Sequence, residues 1–176
     1  MHLHRTALAG VILIELAPIG DERGSLQRTV CSEFLAAHGL VTTFVQCNLV
    51  QSTRRGTLRG LHFQRQPHAE TKLVHCIRGR LFDVVVDLRK DSPTYATQVS
   101  VPLAGERPQV LYVPEGCAHG YQTLDDDVSV YYHMSRPYMP AAEGRVRWDD
   151  PRLNIAWPVA QPLLSPRDRD AADFVW

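Results

Sequence analysis

The chain has 176 residues, enough for one domain with a substantial core. Its 19 basic residues balance its 19 acidic ones, which excludes a nucleic acid or an anionic membrane as the main partner but leaves room for a local phosphate-binding cluster. An apolar content of 44% excludes disorder as the default, and no apolar run approaches the ~20 residues of a membrane span.

The opening segment, MHLHRTALAGVILIEL, carries a glutamate and lacks the three-part pattern of a signal peptide. It is expected to form the first strand of a cytoplasmic protein. Asp21-Glu22-Arg23-Gly24 reads as a turn. Ser32 to Leu40 is the one helical pattern, with Ser32 as its cap and Phe34 and Leu35 on one side. TFVQCNLVQS and LRGLHFQ follow as strands around the basic turn TRRG. KLVHCI and LFDVVVDL flank Arg78-Gly79-Arg80, which predicts a tight hairpin. In LFDVVVDL the even positions are apolar and the odd ones include Asp83 and Asp87, so one face is greasy and the other mixed. QVLYV, GYQTL and VSVYYHMS complete the strands, the last two joined by three aspartates. From Asp149 the chain is rich in proline and charge and is expected to wrap the body.

Many short strands with frequent turns predict an all-β fold, either a sandwich or a closed barrel. A cupin-type jelly-roll β-barrel with a few short helices, spanning 1–176 as a single domain, meets this pattern and can enclose a ligand. Cys31, Cys47, Cys76 and Cys117 form no C-x-x-C pair and read as free, buried thiols.

Three stretches look unlike plain scaffold: LRGLHFQRQPHAETK, VPEGCAHGY and VSVYYHMS. Metal-binding cupins pair H-x-H with a later P-x-G-x-x-H. Pro114 to His119 matches the second piece, but Phe63 and Gln64 follow His62, so the second imidazole is missing and no metal is expected. His119 is then either a hydrogen-bonded barrel histidine or part of a substrate pocket. Period two places Tyr131 on the face opposite Tyr132, as packing.

From end to end the chain resembles the dTDP-4-dehydrorhamnose 3,5-epimerase family. The runs that carry the likeness include Asp21 to Gly24, Leu58 to Gln64, Lys72-Leu73-Val74, Val113 to Gly116, Ala118-His119-Gly120, Arg147 to Pro151 and Leu164 to Asp168. The resemblance implies that His62 is a base backed by Asp168, Tyr132 an acid and Lys72 the cationic stabiliser of an enolate. It also implies a diphosphate clamp from Arg23 and Arg59. Gln46 and Asn48 would contact sugar or phosphate, Tyr138 and Glu143 the nucleobase, and His119, in its pocket reading, the substrate. No cofactor is implied; a nucleotide-sugar substrate and a homodimer are. Alternatives are a ketoisomerase, an epimerase of CDP- or GDP-linked sugars, and a non-catalytic sugar-nucleotide-binding cupin. A regular strand would put Arg59 and His62 on opposite faces, so a bulge at Gly60 or a rim position for Arg59 is expected. The chain departs from the family pattern at Ser25 to Arg28, at Glu70-Thr71 before Lys72, and at His133.

Overall fold

A computed structural model describes residues 1–176 and contains thirteen strands and two short α-helices. The opening segment forms two strands rather than one. β1 (His2–Arg5) and β2 (Ile12–Glu15) pair antiparallel, and Gly10 between them has φ +77°. β3 (Ile19–Asp21) and β4 (Gly24–Leu26) form a separate hairpin over the expected turn. The helix is α1 (Ser32–Ala37), with Cys31 rather than Ser32 at the N-cap and no side-chain cap. It stops short of Leu40 because Gly39, at φ +68°, leaves the helical conformation.

The next eight strands are β5 (Gln46–Ser52), β6 (Leu58–Gln64), β7 (Lys72–Arg78), β8 (Arg80–Asp87), β9 (Gln98–Ala104), β10 (Gln109–Val113), β11 (Cys117–Thr123) and β12 (Val128–Met134). Their antiparallel pairing is nested: β8 with β9, β7 with β10, β6 with β11, β5 with β12. Nesting of this kind is a long hairpin rolled on itself, the jelly roll. It yields a six-stranded sheet, β1-β2-β10-β7-β12-β5, facing a five-stranded one that starts with β13 (Glu143–Arg145) and runs β13-β6-β11-β8-β9.

This topology overturns the hairpin expected at Arg78-Gly79-Arg80. β7 and β8 lie in different sheets, so Gly79, at φ +72°, makes a corner between them. The reason is burial on both faces of β8. Leu81 and Val85 pack into the core between the sheets with Val74, Leu111 and Val130. Val84 and Val86 point the other way, against Leu61, Ala118, Val146 and Leu153. The greasy even face is thus the outer one, and the C-terminal segment covers it, with the Trp157 ring 5.9 Å from that of Phe82. The wrapping expected of this segment is present. It also contains a helix that the sequence reading missed, α2 (Pro166–Arg169), capped by Ser165 with proline at its start. All four cysteines are free, but only Cys76 and Cys117 are buried; Cys47 is exposed on edge strand β5.

Candidate active site

Between the sheets opens a cavity of about 640 Å³, within the usual range for a small-molecule site. Its walls come from both sheets and from the C-terminal segment. On β12, Val130, Tyr132 and Met134 alternate with outward-facing Tyr131 and His133, whose rings pack edge-on at 4.9 Å. Tyr132 and Met134 line the cavity, as do their cross-strand partners Asn48 and Gln46 on β5 and Lys72 at the start of β7.

The facing wall is β6, where a bulge lies at Gly60. Between the Arg59–Tyr121 and His62–His119 pairs, β6 advances three residues while β11 advances two. The slip restores a common face, and Arg59 and His62 both line the cavity. Gly60 has φ +136°, and a Cβ there would fall 2.5 Å from the Cα of Gly120. A Cβ on Gly120 would fall 2.6 Å from the Arg59 carbonyl oxygen. The two backbones touch where neither residue has a side chain.

His62 Nε2 donates to Asp168 Oδ1 at 2.6 Å, which leaves Nδ1 as the lone-pair nitrogen. Asp168 is brought 106 positions along the chain by α2, where its backbone N–H is accepted by Ser165 Oγ. Burial pushes the Asp168 carboxyl up, but the His62 and Ser165 hydrogen bonds and the Arg145 charge outweigh it, so the net shift is downward. Arg145 Nε lies 3.4 Å from Asp168 Oδ1, and its Nη2 donates to Glu143 at 2.5 Å. Tyr138 donates its hydroxyl proton to the other Glu143 oxygen at 2.9 Å. The rim is therefore one chain of contacts from Tyr138 through Glu143 and Arg145 to the His62–Asp168 pair.

Lys72 Nζ donates to the His62 carbonyl oxygen at 3.3 Å and pairs with Glu70 Oε1 at 3.0 Å. Burial raises the Tyr132 phenol above its usual range, with the nearby Arg59 charge opposing. His119 is a hydrogen-bonded barrel histidine, its Nε2 in contact with both oxygens of Asp83 at 2.9 Å, and it also lines the cavity. Asp83 is fully buried, and desolvation raises its carboxyl despite the His119 contact. Gln46 Nε2 donates to Asn48 Oδ1 at 3.2 Å, and Gln46 Oε1 accepts from the Tyr138 backbone N–H.

Ten of the eleven expected site residues thus line one cavity; the exception is Arg23. Arg23 sits at the tip of the β3–β4 hairpin, 85% exposed and paired with Asp21. It does not line its own chain's cavity, and its hairpin is a separate two-stranded sheet that pairs with neither of the larger ones. Arg145, Glu70, Tyr121 and Arg167 line the cavity without having been singled out. Arg145 had no local signal. Glu70 did, as a departure beside Lys72.

A sequence model described as dTDP-4-dehydrorhamnose 3,5-epimerase matches residues 5–175. The chain is similar to the protein of that name from Shigella flexneri, 41% identical over 176 residues, covering 99% of this chain and 97% of that one. It is also similar to a Streptomyces niveus dTDP-4-dehydrorhamnose 3-epimerase, 40% identical, covering 97% of this chain and 83% of that one. In structure it is similar to the Bacillus anthracis dTDP-4-dehydrorhamnose 3,5-epimerase solved with TDP and PPi bound. There the TM-score is 0.95 at 38% identity, covering 98% of this chain and 99% of that one. The nested barrel, the cavity and these likenesses together mean that the chain belongs to the dTDP-4-dehydrorhamnose 3,5-epimerase family.

Proposed function

We propose that this protein epimerises a dTDP-linked 4-keto-6-deoxy-hexose at C3, C5 or both. The observation that carries the reading is the placement of His62 and Tyr132 on facing sheets of one cavity, with the Lys72 ammonium in the same wall as Tyr132. A 4-keto group acidifies the hydrogens on its neighbouring carbons. His62 Nδ1 takes one of them, and Asp168 fixes the tautomer and steadies the imidazolium that results. The electron pair moves onto the C4 oxygen, where Lys72 meets the charge. Tyr132, protonated as any phenol is at neutral pH, returns a proton to the opposite face, and exchange with solvent resets both groups. Arg59 would hold the diphosphate, and Gln46, Asn48 and His119 the sugar and phosphates. Tyr138 and Glu143 would meet the base.

The test is incubation with the 4-keto sugar nucleotide in heavy water. Deuterium uptake with inversion is expected at C3, C5 or both; no uptake at either carbon overturns the reading. The same spectra decide between one centre and two, a point raised by the similarity to both 3,5- and 3-epimerases.

We further infer a homodimer acting in the cytoplasm. Ile19 and Leu26 on the β3–β4 hairpin are 74% and 70% exposed, which suits a surface that a second copy covers. In that assembly Arg23 would serve as a phosphate contact across the interface. Four free thiols suit a reducing compartment.

A further inference from the structure

We infer that Glu70 is a specificity-determining residue whose carboxylate accepts a hydrogen bond from the hydroxyl on C3 of the substrate, beside the ketone. The inference rests on the epimerase reading above. Glu70 lines the cavity just ahead of β7, with its side chain only 3% exposed. One oxygen pairs with Lys72 Nζ at 3.0 Å; the other, Oε2, is buried with no hydrogen-bond partner. An ionised carboxylate offers about four acceptor sites, and Lys72 fills one of them. A buried acceptor left unpaired is unfavourable, so a donor that pairs with it on binding gains more than one meeting a solvated group.

The identity of that donor follows from Lys72. In the proposed reaction its ammonium meets the C4 oxygen, so a carboxylate paired with the same ammonium lies near a carbon next to C4; of the two, C5 carries a methyl group and only C3 carries an O–H. The group there is the C3 hydroxyl, an O–H donor. The terminal torsion of a glutamate is soft, so the carboxylate can turn its unpaired oxygen to the cavity without moving its stem. The contact is charge-assisted and therefore stronger than a neutral hydrogen bond. It exists before and during proton transfer, so it acts mainly on KM.

Glu70→Gln tests this while preserving shape. An amide NH2 cannot accept from the Lys72 ammonium, so the amide oxygen must face Lys72. The variant then presents an uncharged donor where the wild type presents a carboxylate oxygen. Deuterium uptake at the carbons flanking the ketone is measured for the dTDP-linked substrate and for its analogue lacking the C3 hydroxyl. The wild type is expected to prefer the hydroxylated substrate by roughly 10–100-fold in kcat/KM, the range of a charge-assisted hydrogen bond. In Glu70→Gln the preference should shrink to under about 3-fold, through a raised KM for the hydroxylated substrate. An unchanged preference in a folded Glu70→Gln protein overturns the inference and leaves the epimerase reading intact. So does a wild-type preference below about 2-fold, which no charge-assisted contact would give and which needs no variant. Absence of any uptake by the wild type overturns both. Glu70→Asp keeps the charge but withdraws it by one methylene, and should also lose most of the preference.

Discussion

Tyr132 shows how one side chain's surroundings set its task. A phenol is already protonated at neutral pH, and burial between the cross-strand partners Asn48 and Val74 shifts Tyr132 further that way, so in the proposed reaction it can give a proton but is poorly suited to take one. In the proposed mechanism His62 takes the complementary role, with Asp168 holding its Nε2. The two roles should separate on mutation. Tyr132→Phe retains the base and Lys72, so deuterium should still exchange into the substrate on the face that His62 serves. Inversion should fall by ~10²–10⁴-fold, the usual contribution of one general acid. Chiral analysis of the recovered sugar distinguishes this from a simple loss of activity.

At the scale of strands and corners, the barrel is held where it must deviate from regularity. The Gly60 bulge is one such place. Gly60→Ala forces a Cβ into the Gly120 backbone at a φ that alanine avoids, and should destabilise the fold by about 2 kcal/mol or more. Chemical unfolding measures this directly, and binding of dTDP should weaken in parallel as Arg59 loses its place. A second is the corner after β8. Asp87 accepts from Arg89 Nε and Nη2 at 2.8 Å, from Ser92 at 2.5 Å and from Thr94 at 2.7 Å, and Arg89 also reaches the Ala9 carbonyl. Burial pushes the Asp87 carboxyl up, but these bonds prevail and bring it down to about 2. The folded value lies below the unfolded one near 3.8, so the stabilisation is complete above about pH 4 and is lost as pH falls towards 2. It amounts to about 2 kcal/mol. Asp87→Asn should therefore be less stable than the wild type at pH 7, with the gap narrowing below pH 4 in urea titrations.

For the whole molecule, the body and the hairpin make different demands. The C-terminal segment closes the outer face of the five-stranded sheet and delivers Asp168 to the cavity, so one stretch of chain serves both packing and the site. The β3–β4 hairpin pairs with neither sheet, its residues are exposed, and Arg23 lies outside the cavity. If a second copy receives it, sedimentation should report a dimer at micromolar concentration. Replacing Ile19 and Leu26 with serine should then shift the protein towards monomer and raise KM. Arg23→Ala should raise KM while leaving the dimer in place. A monomeric wild type with full activity would remove the dimer from the proposal.

The sequence alone determined the strand-rich pattern, the turn at Asp21 to Gly24 and the family likeness, because alternation, turn residues and short motifs are local properties. With the family likeness it also set Arg59 and His62 at odds with a regular strand and left two ways out, a bulge at Gly60 or a rim position for Arg59; the structure has the bulge. Ser165-Pro166 carries a local helix start, a capping serine followed by proline. Only the tertiary structure decided that β7 and β8 part at Gly79, because a strand buried on both faces gives no sign of which sheet it joins. Only it brought Arg145 to the His62–Asp168 pair that the family likeness implied, and set Glu70 against Lys72 with an oxygen left over. Those contacts join residues far apart in the chain or turn on side-chain direction, and neither spacing nor composition specifies them.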